Sequence, residues 1–190
     1  MLVNRALLRR RQDGFTIVEL LITILIVTVG LLGLAKMQAA AVSNTAVART
    51  RALMTYQAES LAGMIRANRA FWVTSGNYTT WPRFSVDGSG NTSYAVMTSK
   101  SSCVSVTCTK EELAFDDMVN NWAPQFSAAF PGATALVACV PATGTNCAAN
   151  PTTPHSYDIT LTWSQKMVAV NKSTAGSQTQ NVSMVMHVQP

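Results

Sequence analysis

A single carboxylate, Glu19, lies near the start of a long apolar segment. Residues 20–35 carry no charge, and a carboxylate in hydrocarbon costs about 3 kcal/mol on insertion scales, so it usually has a functional partner. The dipeptide Gly14-Phe15 precedes the apolar segment directly, and four arginines lie upstream of it: Arg5, Arg9, Arg10 and Arg11. Gly14, Phe15 and Glu19 therefore form a candidate functional site at the start of the apolar segment.

Cleavage after Gly14 would place a cationic amine on Phe15, close to Glu19. That amine would lie at a helix N-terminus, where the helix dipole disfavours a cation and favours a carboxylate. Glu19 could therefore offset the amine of its own chain or of a neighbouring chain. In a membrane or a packed filament, losing one member of this pair would be costly. The alternative is that Glu19 extends to the membrane interface without a partner.

The segment from residue 15 to residue 35 is long enough to cross a membrane. As a helix it would span roughly 30 Å, which matches the hydrocarbon core of a bilayer. The arginine-rich end is expected in the cytoplasm, so the rest of the chain faces outward. A secretory signal cut near Ala39-Ala40-Ala41 and a plain signal anchor are the alternatives. Neither of them explains Glu19 or the Gly14-Phe15 junction.

Length, charge and histidine placement argue against an enzyme or a nucleic-acid-binding protein. The 190 residues allow one modest domain beside the membrane segment. Removing residues 1–14 takes away four arginines and one aspartate, which lowers the net charge from +5 to +2, and the remaining basic residues do not cluster with aromatic ones. Neither His155 nor His187 has a nucleophile or carboxylate at a motif spacing. We therefore expect no catalytic site, no cofactor, no metal and no directly bound nucleic acid.

Four cysteines follow the membrane segment, at positions 103, 108, 139 and 147. An even number in an exported domain indicates disulfides. We favour the local pairs Cys103–Cys108 and Cys139–Cys147, because each brackets a turn rich in Ser, Thr or Gly. Such short loops would each contribute roughly 2–2.5 kcal/mol in the chain-entropy model. The two crossed pairings remain open.

Helical periodicity continues beyond the membrane segment, which predicts one helix from residue 15 to about residue 72. No proline occurs from residue 36 to residue 72. Apolar side chains fall on one predicted stripe: Leu53, Tyr56, Met64, Ala67 and Phe71. Charged side chains fall on the opposite side: Arg51, Glu59, Arg66 and Arg69. The second half of the helix is therefore expected to pack one face against a core.

A second helical segment is predicted after an irregular region that runs from about residue 74 to residue 102. Residues 94–97 within that region are a candidate short strand. Thr109 and Glu112 form a capping-box pattern that starts the helix. Its apolar positions are Leu113, Phe115, Met118, Trp122 and Phe126. Pro124 is expected to kink this helix, and Pro131-Gly132 to end it.

The last third of the chain reads as β structure. Residues 133–140 form an apolar run. Two later segments alternate apolar and polar residues, with apolar positions Tyr157, Ile159, Leu161, Trp163, Val182, Met184, Met186 and Val188. We expect a small antiparallel sheet covered on its apolar face by the long helix, an α+β fold. The expected domains are a leader at 1–14, a membrane half-helix at 15–40, an amphipathic half-helix at 41–72 and an extracytoplasmic head at 73–190.

The junction at Gly14, Phe15 and Glu19 resembles the class III signal of type IV prepilins, and later segments resemble PilV-type minor pilins. The residues that carry the second resemblance are 29–38, 58–69, Leu113-Ala114, Asp116, Trp122, Pro131-Gly132 and 157–163. The chain departs from the pattern at Ile65, which interrupts an expected Met-Arg sequence, and in the loop near Pro151.

This resemblance implies a type IV pilin fold and a defined maturation. Prepilin peptidase would cut after Gly14 and N-methylate Phe15, and Glu19 would pair with the Phe15 amine of the adjacent subunit. The protein would wait in the bacterial inner membrane with its head in the periplasm and then enter an extracellular pilus. Its implied partners are other minor pilins, the major pilin, the inner-membrane assembly platform and a tip adhesin. Priming of fibre assembly, adhesion and twitching motility are the implied roles.

Two other functions are compatible with the same residues. A pseudopilin of a type II secretion system shares the Gly14, Phe15 and Glu19 signal. A membrane-anchored extracytoplasmic binding domain that never polymerises would share only the membrane segment. The binding domain can be distinguished from the pseudopilin by mutation, because a protein that never polymerises should tolerate the loss of Glu19.

Overall fold

The computed structural model describes residues 14–73, 83–140, 156–166 and 179–190. The chain divides into two compact units, Met1–Asn44 and Thr45–Pro190. The division falls inside the first helix, so the second unit includes the C-terminal part of that helix together with the sheet. The two units are described separately below.

Helix α1 runs from Ile17 to Ala67 and contains 51 residues. At its start, the backbone N–H of Glu19 donates to the hydroxyl of Thr16 at 3.3 Å, which satisfies one of the free donors of the first turn. Thr23 and Thr28 donate their hydroxyls to backbone carbonyls three residues earlier. These polar side chains are thus satisfied within the helix, as an apolar environment requires.

The prediction of one uninterrupted helix to about residue 72 is wrong at Asn68. Helix α1 ends at Ala67, and a short helix α2 runs from Arg69 to Val73. The side chain of Asn68 is buried and donates to the carbonyl of Lys110 at 2.7 Å. Asparagine competes with helical hydrogen bonding through such contacts, and here the contact fixes the break between the two helices.

The buried face of α1 also differs from the predicted stripe. Leu53 and Tyr56 are exposed, and the buried residues of α1 are Met54, Ala58, Leu61, Ala62 and Ile65. The true stripe is rotated by roughly a third of a turn from the predicted one. Four of the five residues in the predicted stripe have large side chains, whereas two of the five residues that α1 buries are alanines. The charged residues predicted on the opposite side are exposed, as expected.

Five strands form one antiparallel sheet in the order β2-β1-β3-β4-β5. The strands are β1 (Phe84–Val86), β2 (Thr92–Tyr94), β3 (Thr134–Val140), β4 (Ser156–Lys166) and β5 (Thr179–Val188). The last three correspond to the three predicted β segments. The short strand predicted at residues 94–97 lies instead at β2, and β1 was not predicted. Both strands are only three residues long, which leaves little periodicity to detect.

Alternation along the strands places their apolar residues in a single core. Tyr157, Ile159, Leu161 and Trp163 of β4 are buried, and Val188 of β5 is buried as well. The same cluster contains the buried residues of α1 and of the second helical segment. This confirms the predicted α+β architecture, in which a long N-terminal helix precedes a five-stranded antiparallel sheet.

The second helical segment is divided into three parts. Helix α3 (Lys110–Phe115) leads into a π-helical turn (Asp116–Trp122), which is followed by helix α4 (Ala123–Ala129). The capping box at Thr109 and Glu112 is present. The widened turn directly precedes Pro124, whose ring would clash with the carbonyl four residues earlier in an α-helix. Pro124 is thus accommodated within the segment, which ends before Gly132, a residue with a φ of +82°.

Candidate processing and assembly site

Gly14 and Phe15 lie outside any helix or strand, and one residue separates them from the start of α1. Phe15 is 78% exposed, and no atom would approach a Cβ at Gly14 within 4 Å. Both residues are exposed, so no described residue packs over the peptide bond between them. A side chain at Gly14 would meet no described atom of the fold.

Glu19 lies in the first turn of α1, on the same short stretch of chain as Phe15. Its side chain is exposed, and among the described residues no ion pair involves it. Within the described part of the chain, this turn has a polar contact between the Glu19 backbone N–H and the hydroxyl of Thr16. The intermolecular pairing expected of Glu19 stays a prediction.

The first part of α1 exposes apolar side chains on every side. They include Ile17, Val18, Leu20, Leu21, Ile22, Ile24, Leu25, Ile26, Val27, Val29, Leu31, Leu32 and Leu34. By length and composition, α1 is the one helix among the described residues that could cross a membrane. Gly30 and Gly33 have open space around them, so a neighbouring helix could approach α1 closely there.

Comparison with known proteins supports the assignment of this region. Residues 9–35 match the family model described as the prokaryotic N-terminal methylation motif. No curated protein matches the chain, and no solved structure does. The match includes Gly14, Phe15 and Glu19, but it covers only the N-terminal region.

The motif and the fold together support a type IV pilin-like protein. The motif indicates a type IV pilin or pseudopilin, and the long helix followed by an antiparallel sheet is a pilin-like architecture. Proteins with this motif are structural rather than enzymatic. The motif implies processing by prepilin peptidase and assembly into pilus-type complexes, with membrane anchoring before assembly.

A disulfide closes a small surface loop in the second unit. The structure joins Cys103 to Cys108, the local pair favoured by the sequence, with 5.8 Å between their Cα atoms. The carboxylate of Asp116 accepts from the backbone N–H of Cys103 at 2.9 Å and from the amide of Asn120 at 2.8 Å. The loop is therefore fixed to the π-helical turn. Cys139 is also disulfide-bonded, and its predicted partner, Cys147, lies outside the described residues.

Carboxylates near this loop have perturbed pKa values. The backbone N–H of Thr109 and the ammonium group of Lys100 hold the pKa of Glu112 below its ordinary value. Burial raises the pKa of Asp117, and the neighbouring charge of Asp116 adds to that effect. The shift of Glu112 follows from the helix cap and that of Asp117 from its place in the π-helical turn, so both shifts are explained by the structural roles of these residues.

The described residues hold no cluster of three or more potential metal ligands. His187 contacts Asp158 across β4 and β5, but no third titratable group completes a site there. His155 lies outside the described residues. Trp122 and Trp163 are buried in the core, which agrees with the core role expected of both.

Sequence reasoning missed a buried cation that lies among aromatic rings. Arg83 is 2% exposed, and its guanidinium carbon lies 5.0 Å from the ring centroid of Phe71, 5.4 Å from that of Trp72 and 5.9 Å from that of Tyr157. The tyrosine hydroxyl donates to the carbonyl of Trp72 at 2.8 Å. These residues come from three distant parts of the chain, so no local pattern could have revealed the cation–π contacts.

Proposed function

We propose that this protein is a minor pilin of a type IV pilus, which primes fibre assembly as part of a tip-associated complex. The observation that carries the proposal is the exposed Glu19, which lies one helical turn after an accessible Gly14–Phe15 bond on a helix with an apolar surface. The PilV-type resemblance described above favours a minor pilin over the other members of the class.

Transfer from membrane to fibre fits the physical properties of α1. Lipid and the core of a helical bundle are similarly apolar, so the apolar surface of α1 can exchange one for the other at little cost. Apolar contacts are not directional, and subunit register must then come from polar groups. In this proposal Glu19 sets the register by pairing with the methylated amine of Phe15 on the adjacent subunit.

Maturation and location follow the same proposal. Prepilin peptidase removes residues 1–14 and methylates Phe15. The protein remains in the inner membrane, with the unit from residue 45 onward in the periplasm, until the assembly platform draws it into an extracellular fibre. Its partners there are other minor pilins, the major pilin and a tip adhesin, and the fibre serves adhesion and twitching motility.

A deletion of the gene tests the priming role, with surface pili counted by electron microscopy in the presence and absence of the retraction ATPase. The proposal predicts that pili disappear on deletion and partly return when retraction is also removed. Normal pili combined with a collapse in secreted enzymes would contradict it and identify a type II secretion pseudopilin. Normal pili and normal secretion would contradict both functions.

A further inference from the structure

Strand β5 is the last strand of the sheet in the part of the chain that the structure describes, and its composition is unusual for such a position. Among the described residues, β5 pairs with β4 alone and ends the strand order. Its ten residues, Thr179–Val188, include no proline, lysine, arginine, aspartate or glutamate. Soluble proteins protect exposed edges with such residues. An edge without them is suited to pairing with another extended segment.

A groove of about 380 Å³ lies beside this edge, between α1 and β5. Its lining residues are Arg51, Thr55, Trp163, Val182, Ser183 and Met184. The hydroxyl of Thr55 lies 3.6 Å from the sulfur of Met184, so the helix and the edge strand meet at its floor. Val182 and Met184 are only half-buried, which leaves apolar surface for alternate side chains of an added strand.

Two buried hydrogen-bond donors bear on the chemistry of the groove: one belongs to Trp163, which lines it, and the other to Gln165, which contacts the lining residue Arg51. The indole N–H of Trp163 and the side-chain amide nitrogen of Gln165 are buried and have no acceptor among the described residues. Both side chains are only 5% exposed. Arg51 places its guanidinium at the same site, and its Nε donates to the carbonyl oxygen of Gln165 at 3.3 Å. No acidic side chain lines the groove.

Buried donors without acceptors are costly, and a ligand that supplies oxygen atoms would remove that cost. A carboxylate satisfies an arginine and neighbouring N–H donors at the same time. We propose that this groove binds an extended segment of another protein that pairs with β5, inserts alternate apolar side chains and places a carboxylate at Arg51. This interaction does not depend on whether the chain polymerises.

The proposal is tested with the full chain in detergent micelles and a displayed library of ten-residue peptides. Selected peptides should alternate apolar residues, carry Asp or Glu, and slow amide exchange across residues 179–188. Methylating the backbone nitrogens of a selected peptide one at a time should weaken binding at every second position, because a paired strand donates toward its neighbour with that period.

Charge reversal in the groove gives a second, matched test. Arg51→Glu should weaken the acidic peptides by about tenfold or more, because a charge-assisted hydrogen bond is lost and a repulsion is introduced. The same variant should select basic peptides instead. Arg49 is an exposed residue of the same helix that does not line the groove. Arg49→Glu should therefore bind the acidic peptides as the wild type does.

Three results would overturn the proposal. The first is that no peptide is selected, and the second is that binding is insensitive to Arg51→Glu. The third is a dimer of the chain in micelles, seen by light scattering, that protects residues 179–188 without any peptide. That third result would assign the edge to a second copy of this protein.

Discussion

Glu19 draws its importance from its surroundings. It is the acidic residue of the first turn of a helix whose neighbouring side chains are apolar and exposed. Its type and position were sufficient to single it out from the sequence, because a charge among apolar residues needs a reason. The residues around the groove at Arg51 could not be found in this way, since Trp163, Gln165 and Arg51 meet only after the sheet forms.

Gly14 should be essential for maturation, and Gly14→Val should block it. The structure leaves space for a side chain at this position, so the valine is expected to interfere with recognition by the peptidase and not with folding. Intact-mass measurement of the membrane-bound protein should show that residues 1–14 are retained. A variant with the mature mass would contradict the assigned cleavage site.

Glu19 should be needed for assembly and not for processing. Glu19→Ala should be cut and inserted normally, because removing a charge from an apolar helix favours insertion, yet it should be absent from sheared pili. Glu19→Gln tests whether the negative charge itself matters and should fail in the same way. Immunoblots of membrane and pilus fractions make the measurement, and normal incorporation of Glu19→Ala would favour a module that does not polymerise.

At the scale of elements, periodicity predicted the long helix, the capped helix and the three longer strands. It failed where tertiary contacts decide the local structure. The break at Asn68 depends on a hydrogen bond to Lys110, which is 42 residues away. The buried stripe of α1 depends on alanines, whose burial reflects the closeness of the packing rather than their own hydrophobicity. The π-helical turn depends on Pro124 and the elements beside it.

The capping box at Thr109 should contribute measurably to stability. Its hydroxyl accepts from the backbone N–H of Glu112, and Thr109→Ala should lower the free energy of unfolding by about 1 kcal/mol. Urea denaturation of the full chain in micelles, followed by tryptophan fluorescence, reports on the second unit, since all four tryptophans follow residue 45. Thr107 is exposed and lies outside the helix, so Thr107→Ala is the control and should change the free energy of unfolding little.

Asp117 should oppose folding at neutral pH. Burial raises its pKa in the folded state, so the folded protein binds more protons than the unfolded chain as pH rises from about 4 through the raised pKa. The free energy of unfolding therefore falls over that pH range, and Asp117→Asn should remove this fall. The variant should therefore be more stable than the wild type at pH 7 and equal to it below the ordinary aspartate pKa, in urea titrations at both pH values.

At the scale of the whole molecule, the two units have different requirements. The unit from Thr45 to Pro190 has its own buried core, whereas the described part of the first unit exposes its apolar side chains. The first unit must therefore be covered by lipid or by other helices. The sequence predicted this division of roles, because a segment that is apolar on every side cannot be satisfied by one small domain.

The mature N-terminus within the fibre tests the central claim most directly. Pili are sheared from cells that lack the retraction ATPase and carry either the wild-type gene or Glu19→Ala, and their digested peptides are measured by mass spectrometry. We predict that the wild-type pili contain this protein with an N-terminal peptide that begins at N-methylated Phe15. Pili from the Glu19→Ala cells should lack it, while their membranes hold the same methylated peptide. A wild-type protein that keeps residues 1–14, or one that is processed but confined to the membrane, would contradict the account.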